Sequence, residues 1–387
     1  MGLYHFPADL EQIISERAGG DLSPRAVTEA VRELSDLFVG RIPWQGEYGR
    51  RAELRAAYLR YFLPVNLPKI RTPLAAWLRT SRCAGRTLRC LDLGSGPGTA
   101  LIGVADFVRE LPPGERPSSL DFVALDQWRE NLDDAAALVA RFGEVDRGLP
   151  AVRFQPFRLD LVADRSELLT LAATEGRFDL VLAANVLCEI VRESPDGLDK
   201  AVGLVDAVAE RVLAPGGAIL LVEPGLRDTA RDLHRLRDRV LGRGKLHVHA
   251  PCLHQSGCPA LFRDRDWCIA DVPWQPPSLV AEVDRRTGLH KGSLKFAYLV
   301  LARDAAAPVQ PGTWRVVSDV LDLKGERRVY LCAEGRWIVL GQLKRHRGPA
   351  AEAFARLRRG DLVEVDGMEP AGSVFRLPPT GALRRLA

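Results

Sequence analysis

An α/β fold in three parts is what this sequence predicts: a helical region over 1–86, a mainly parallel sheet covered by helices over 87–305, and a small basic β-rich domain over 306–387. Three observations carry it. Short apolar runs of strand character alternate with helical stretches from about 87 to 303, the pattern of βαβ units. A glycine-rich loop, LDLGSGPGTA at 91–100, follows the first of those runs. From about 310 the pattern changes to short β-rich segments separated by turn residues. At 387 residues the chain is long enough for two or three domains with cores of their own.

The helical region opens on DLSPRAVTEAVRELSDLFVG, with Asp21 or Ser23 as the cap and Pro24 in the first turn. RAELRAAYLRYFLPVNLPKI follows and is expected to break at Pro64 and Pro68. It reads as a packing helix with solvated arginines, or alternatively as a lid or RNA-contacting face. LRCLDLG, DFVALD, VRFQPFRLD, FDLVLAAN, GAILLVEPG and LKFAYLVLA read as strands, with helices between them that include 128–142 and 198–213. An irregular, proline-bearing insertion lies at 247–277. GTWRVVSDVLDL, RRVYLCAEG, RWIVLGQLKR, DLVEVDGMEP and SVFRL then predict a small barrel or sandwich with one helix near 349–359.

Composition narrows the class. Forty-seven per cent apolar and 27% charged residues is ordinary for a folded protein and argues against disorder. The longest apolar runs fall far short of the roughly 20 residues that span a bilayer. MGLYHFPADLEQ lacks a signal pattern, and Phe6 breaks an acylation motif. A cytoplasmic protein without membrane contact is therefore expected. Formal charge is +4, carried by 47 Arg against 7 Lys. Base composition of the genome accounts for much of that ratio, yet arginine also grips phosphates bidentately and stacks on bases. Residues 301–387 hold 15 Arg and Lys against 10 Asp and Glu, a net of +5 that exceeds the whole chain's. That segment is the expected polyanion-facing surface. Its phosphate-contact candidates are Arg327, Arg328, Arg336, Lys344, Arg345, Arg347, Arg358 and Arg359.

In the glycine loop a buried strand runs into a tight turn and then a helix, whose free N–H groups face an anionic ligand group. Nicotinamide folds use similar loops. Three features favour S-adenosylmethionine. Asp92, Gly94, Ser95, Gly96 and Gly98 give D-x-G-x-G-x-G, which resembles the first motif of class I, Rossmann-like methyltransferases. Asp126 ends the second strand, where an acid binds ribose hydroxyls, and Asp160 ends the third, where that family contacts adenine. Asn185 lies just past the fourth strand. The Asn/Asp-Pro-Pro-aromatic motif of amino-directed enzymes is missing there, as is the Pro-Cys pair of cytosine-C5 enzymes, so no catalytic residue is assigned. Cys188 reads as a small buried residue, and Glu223 as a strand-end residue.

HVHAPCLHQSGCPALFRDRDWC spaces Cys252, Cys258 and Cys268 as C-x5-C-x9-C, with Cys332 following at a distance. Short C-x2-C zinc knuckles look different. Disulfides are not expected in a cytoplasmic chain. Four thiolates suit zinc or an iron–sulfur cluster, and spacing does not choose between them. His247, His249 and His254 read as surface or supporting residues, and Cys90 as core.

Together these segments resemble the methyltransferase-like assembly factors of the small ribosomal subunit, known in mitochondria and with bacterial relatives. AYLRYFLPVNLPKI, LDLGSGPGTAL, APCLHQSGCP with DWC, KFAYLVL, and LCAEGRW…LKRHRG…GDLVEV carry the resemblance, over roughly residues 50–370. It implies a [4Fe–4S] cluster on Cys252, Cys258, Cys268 and Cys332, and binding to small-subunit rRNA, with no DNA partner expected. Methyl transfer to rRNA and a non-catalytic assembly role are both compatible with it. A zinc-containing methyltransferase acting on a small molecule or protein, without ribosome association, is the third reading. Oligomeric state is not legible.

Overall fold

The computed structural model of the protein describes residues 3–19, 23–42, 48–146 and 148–386. Nine strands form the larger sheet: β1 (Tyr4–His5), β2 (Thr87–Leu93), β3 (Ser119–Asp126), β4 (Ala151–Arg158), β5 (Phe178–Ala184), β6 (Leu213–Pro224), β7 (His247–Ala250), β8 (Ala270–Gln275) and β9 (Ser293–Ala302). Their order is β1-β8-β9-β6-β5-β2-β3-β4, with β7 also paired to β9. Strands β2 to β6 pair in parallel, whereas β9 runs antiparallel to β6 and β8. Strand order therefore reverses between β2 and β5, which opens a crevice beyond their carboxyl ends.

Alternate residues of each central strand feed opposite faces. Cys90, Phe122, Leu182 and Leu220 join a core shared with the N-terminal helices and with Thr99–Arg109. Leu91, Val123, Val181 and Leu221 join one beneath the helices Gly197–Arg211 and Arg227–Gly242. Such strands must be apolar on both sides, and these are.

Two N-terminal expectations need amending. Residues 1–86 contribute not helices alone but also β1, an edge strand whose Tyr4 pairs with Trp274 of β8. Nor does the helical run break at Pro64 and Pro68. Helix Ala52–Ala57 passes through a wide turn, Tyr58–Phe62, into Leu63–Asn66, a tight turn Leu67–Ile70, and helix Arg71–Leu78. Each proline sits second in a new turn, where its missing N–H is no loss. Much of this run is buried, Arg71 included. Ser23 caps helix Pro24–Phe38 by accepting from the Ala26 amide at 3.2 Å. Asp21, the other cap candidate, lies outside the described residues.

A second sheet holds β10 (Thr313–Val316), β11 (Leu321–Leu323), β12 (Glu326–Ala333), β13 (Arg336–Leu343), β14 (Leu362–Asp366), β15 (Glu369–Ala371), β16 (Val374–Arg376) and β17 (Ala382–Arg385), with helix Pro349–Ala355 over its Trp314–Leu331–Phe354 core. Its order is β15-β16-β13-β12-β10-β14-β17, with β11 on β12. Strands β12 and β13 meet through Glu334-Gly335, both with positive φ, as a two-residue hairpin of this twist requires. The hairpin tip rests on the loop after β7, so closely that a Cβ on Gly335 would stand 2.6 Å from Ser256 Oγ. Among the described residues no helix is long and apolar enough to cross a membrane.

Asp106, fully buried on helix Thr99–Arg109, ties the N-terminal elements to the sheet. Its Oδ2 accepts from Tyr4 Oη and Arg71 Nη1, both at 2.8 Å, and its Oδ1 pairs with Arg109 at 2.9 Å. Asp106→Ala leaves the buried Arg71 with only the half-exposed Glu110 as its carboxylate, and is expected to cost about 3 kcal/mol in urea unfolding. A loss below about 1 kcal/mol would show that Arg71 finds compensation elsewhere.

Candidate functional site

The crevice at the β2–β5 reversal is a cavity of about 400 Å³, within the ordinary range for small-ligand sites. Every sequence-predicted pocket residue except Gly98 lines it: Asp92, Gly94, Ser95, Gly96, Asp126, Asp160 and Asn185. Gly98 stands one residue behind, as the left-handed cap of helix Thr99–Arg109.

Hydrogen bonds hold the glycine loop in place. Ser95 N donates to Leu125 O at 2.8 Å, its Oγ to Asp92 Oδ2 at 2.8 Å, and Gly96 N to Asp126 Oδ2 at 2.9 Å. At Gly94 (φ 65°) a Cβ would meet Val186 at 2.4 Å, so only glycine fits. Asp126 is further fixed through Oδ1, which accepts from Trp128 N at 2.8 Å and Asn131 Nδ2 at 3.2 Å. Asp160 Oδ1 accepts from the Val162 and Ala163 amides at 2.8 and 2.9 Å. Asn185 takes a positive φ of 60°, and its amide donates to Val222 O at 2.7 Å.

Among the described residues, three buried polar atoms on this wall have no hydrogen-bond partner: Asp92 Oδ1, Thr99 Oγ1 and Trp128 Nε1. Buried polar atoms of folded proteins are almost always satisfied, so these mark where a ligand's own groups are missing. Burial pushes the Asp92 carboxyl up to about 7, with the neighbouring Asp126 adding to the effect. Burial, then Asp126 and Glu223, likewise pushes the Glu189 carboxyl well above its ordinary range. A pocket carrying this many acids suits a ligand with positive charge. Glu223 does not line the cavity. Its Oε1 accepts from Leu187 N at 2.9 Å and steadies the turn after β5. Cys188 is buried, with its Sγ on Asn185 O at 3.6 Å.

The run Tyr58–Lys69, read from sequence as packing, also forms part of this wall through Tyr58, Phe62, Val65, Asn66 and Lys69. The missed signal was a buried lysine between prolines.

Sequence-distant cysteines converge at a second place. Cys252 and Cys258 lie in the loop after β7, Cys268 before β8, and Cys332 on β12 near the hairpin tip. Each lies in electrostatic reach of others: burial first, then Cys332 and Cys252, raises the Cys268 thiol to about 12. Burial, then Cys252 and Cys258, does the same for Cys332, again to about 12. Cys258 is raised further by burial, Cys252 and Cys268. Among the described residues, no three or more His, Cys, Asp or Glu side chains close to the spacing of ligands round one ion.

Helix Arg227–Gly242 shapes this loop with residues that sequence reasoning passed over. Arg231 Nη1 donates to the Ala260, Arg263 and Asp266 carbonyls at 3.0, 2.8 and 2.7 Å. His234 Nε2 accepts from Cys268 N at 3.1 Å; burial, then Arg237, holds its ring neutral, down to about 3. Arg237, with 0% exposure, donates to the His254 and Ser256 carbonyls, both at 2.8 Å. Asp238 Oδ2 accepts from Cys258 N at 2.9 Å. Their 231/234/237/238 spacing was the available signal: polar residues on the buried stripe of an amphipathic helix. Of the histidines in the loop, His254 Nε2 lies 3.8 Å from Cys332 Sγ, and His249 bonds Asp304 O at 2.9 Å. Cys83 and Cys90 are buried elsewhere.

The basic candidates separate into groups. Arg327, Arg328, Lys344, Arg345 and Arg347 gather at the open end of the β12–β13 hairpin, where Arg327 faces Gln342. Arg336 stands at the tip, roughly 20 Å away along the strand, over Trp314 at 5.9 Å. Arg358 and Arg359 precede β14. Arg327, Arg328, Arg336, Lys344 and Arg359 are held in ion pairs with Asp322, Glu326, Glu334, Asp322 and Asp319 respectively. Arg345, Arg347 and Arg358 are exposed and in no such pair among the described residues.

No curated protein sequence matches this chain. Among solved structures, it is similar to a Listeria monocytogenes protein placed among the class I S-adenosylmethionine-dependent methyltransferases (12% identity, 78% of this chain and 90% of that one, TM-score 0.36). It is also similar to the methyltransferase CalH in complex with SAH (18%, 70% and 64%, 0.36). A third is an arsenic(III) S-adenosylmethionine methyltransferase from Chlamydomonas reinhardtii (17%, 70% and 86%, 0.30). A family model, that of the mitochondrial small ribosomal subunit protein Rsm22, matches residues 56–363 and takes in the cavity, the cysteine loop and most of the second sheet. The chain belongs to the Rsm22 family.

Proposed function

We propose that this protein binds S-adenosylmethionine and a [4Fe–4S] cluster, and acts on the small ribosomal subunit by binding its rRNA during assembly. Four thiols within electrostatic reach of one another, three from the loops around β7 and β8 and one from β12, in a member of a small-subunit family, carry the reading.

The donor's fit rests on the cavity. Asp92 Oδ1 would take the ligand's ammonium, Asp126 the ribose hydroxyls and Asp160 the adenine. S-adenosylmethionine supplies a methyl group on a sulfonium. The chain's part is to orient donor and acceptor and to exclude water. Asn185 stands at the carboxyl end of β5, beside the reversal point where donor and acceptor would meet. The absence of an acceptor motif after β5 favours the assembly role over methyl transfer. Tritiated-methyl incorporation into immature subunits would reverse that preference.

The cluster's fit rests on its donor set: four soft thiols, an adjoining buried guanidinium, and backbone amides already pinned by Asp238 and His234. Cys252, Cys258, Cys268 and Cys332 would hold it. Its role in this reading is structural: it locks the basic sheet onto the cavity-bearing one.

Two outcomes follow. Only the ionised Asp92 attracts the ligand's ammonium, so S-adenosylhomocysteine affinity should fall about fivefold from pH 7 to pH 6. Asp92→Asn should flatten that profile, and equal affinity at the two pH values would exclude Asp92 from the ammonium site. After anaerobic purification, Cys332→Ser should lower iron and sulfide content and weaken co-sedimentation with small subunits. Unchanged cluster content and subunit binding would refute the bridging role, and zinc in place of iron and sulfide would favour the zinc-containing alternative.

A further inference from the structure

Three of the chain's seven lysines, Lys69, Lys291 and Lys295, line the cavity. The 47 arginines contribute one, Arg192, among the described residues, and it is engaged with Phe38 O at 2.7 Å and Thr229 Oγ1 at 3.1 Å. Cationic groups elsewhere on this protein are overwhelmingly guanidinium, so the composition of this wall is distinctive.

Topology puts the lysines on the side away from the donor acids. Asp92, Asp126 and Asp160 stand at the ends of β2, β3 and β4. Lys291 and Lys295 stand at the start of β9, which runs antiparallel to β6 and sets Phe296 opposite Pro224. In the sheet order β9 is three strands from β2, or about 14 Å at the usual strand spacing. Lys69 reaches in from the Leu67–Ile70 turn and feels the charges of Lys291 and of Glu223 at the end of β6.

Two of these three ammonium groups, those of Lys69 and Lys291, have no ion pair among the described residues. Lys69 is buried and its Nζ donates to Asn66 Oδ1 at 2.7 Å, with no carboxylate in ion-pair reach among the described residues. Lys291 has none either, since Asp284 is engaged with Tyr61 Oη at 2.5 Å and the Lys291 backbone amide at 2.6 Å. Lys295 is 3.7 Å from Asp271. Burial, then Lys291, brings the Lys69 amine down to about 7. A lysine can shed its proton in such a place and regain it when an anion arrives; an arginine cannot. Phe38 and Phe62, packed edge to face at 5.0 Å, line the same stretch.

We propose that this lysine side is a nucleotide subsite facing the donor, with Lys69, Lys291 and Lys295 on the nucleotide's phosphate and the base against the aromatic wall, whether or not a methyl group passes between them. The inference rests on the proposed donor site and names the ligand class it would face: a single nucleotide drawn into the cavity.

Titration of the full-length protein, saturated with S-adenosylhomocysteine, with nucleoside 5′-monophosphates and the matching nucleosides tests it. The monophosphates should bind at least tenfold more tightly than the nucleosides. Lys291→Ala with Lys295→Ala, both at positions that are not buried, should erase that advantage, as should Lys69→Met, with S-adenosylhomocysteine affinity unchanged. No phosphate advantage in the parent protein, with S-adenosylhomocysteine bound normally, overturns the subsite alone. A matching loss of S-adenosylhomocysteine affinity in the lysine variants also overturns it, because the anion would then be the donor's own carboxylate. Failure of the parent protein to bind S-adenosylhomocysteine removes the donor site and this subsite with it.

Discussion

A guanidinium with no exposed surface, that of Arg237, is the constraint around which the cysteine loop is built. A buried charge is costly unless fully hydrogen-bonded and compensated. Arg237 meets part of that requirement with the His254 and Ser256 carbonyls and with Asp238. In doing so it holds the chain after β7 in a path that brings Cys252 and Cys258 within electrostatic reach of Cys268. The hairpin of the second sheet then closes on this surface, with Gly335 against Ser256 and Cys332 against His254. Burial and mutual proximity disfavour thiolates here until a metal supplies positive charge. The proposed cluster would supply that charge, pulling four sulfurs into one charge state and two sheets into one body.

Much of this fold was legible because its cause is local and periodic. Strands buried on both faces are continuous apolar runs, and β2, β3, β5, β6 and β9 announce themselves that way, whereas the edge strand β4 shows itself by alternation. The loop from Asp92 to Gly98 was legible because glycine is required where backbone meets Val186. What escaped is what depends on tertiary context. Tyr4–His5 is too short to carry a pattern, and is a strand because β8 offers an open edge. Pro64 and Pro68 read as breaks because sequence cannot show that wide and tight turns absorb them. Arg231, His234 and Arg237 look like the solvated face of a charged helix. Their helical spacing was the one cue in the sequence, and the loop folded over them shows that they point inward.

Charge was legible in total but not in disposition. The C-terminal excess of arginine suggested a phosphate-facing surface, yet five of the eight candidates are already paired with carboxylates of the same sheet. Exposed pairs of this kind are weak and exchange readily for phosphate, so pairing does not remove them from RNA contact. It does move the emphasis to Arg345, Arg347 and Arg358. Three of the seven lysines, easily overlooked among the arginines, gather at a different place with a different chemistry.

The central claim is that the four cysteines fasten the two sheets together. Hydrogen exchange on anaerobically purified protein, before and after treatment with an iron chelator, addresses it directly. Amide protection should fall together at 251–268 and 329–335, which carry the ligands from opposite sheets, while helix Thr99–Arg109 keeps its own. Loosening confined to 251–268, with 329–335 still protected, would contradict it and leave Cys332 a bystander to a self-contained loop.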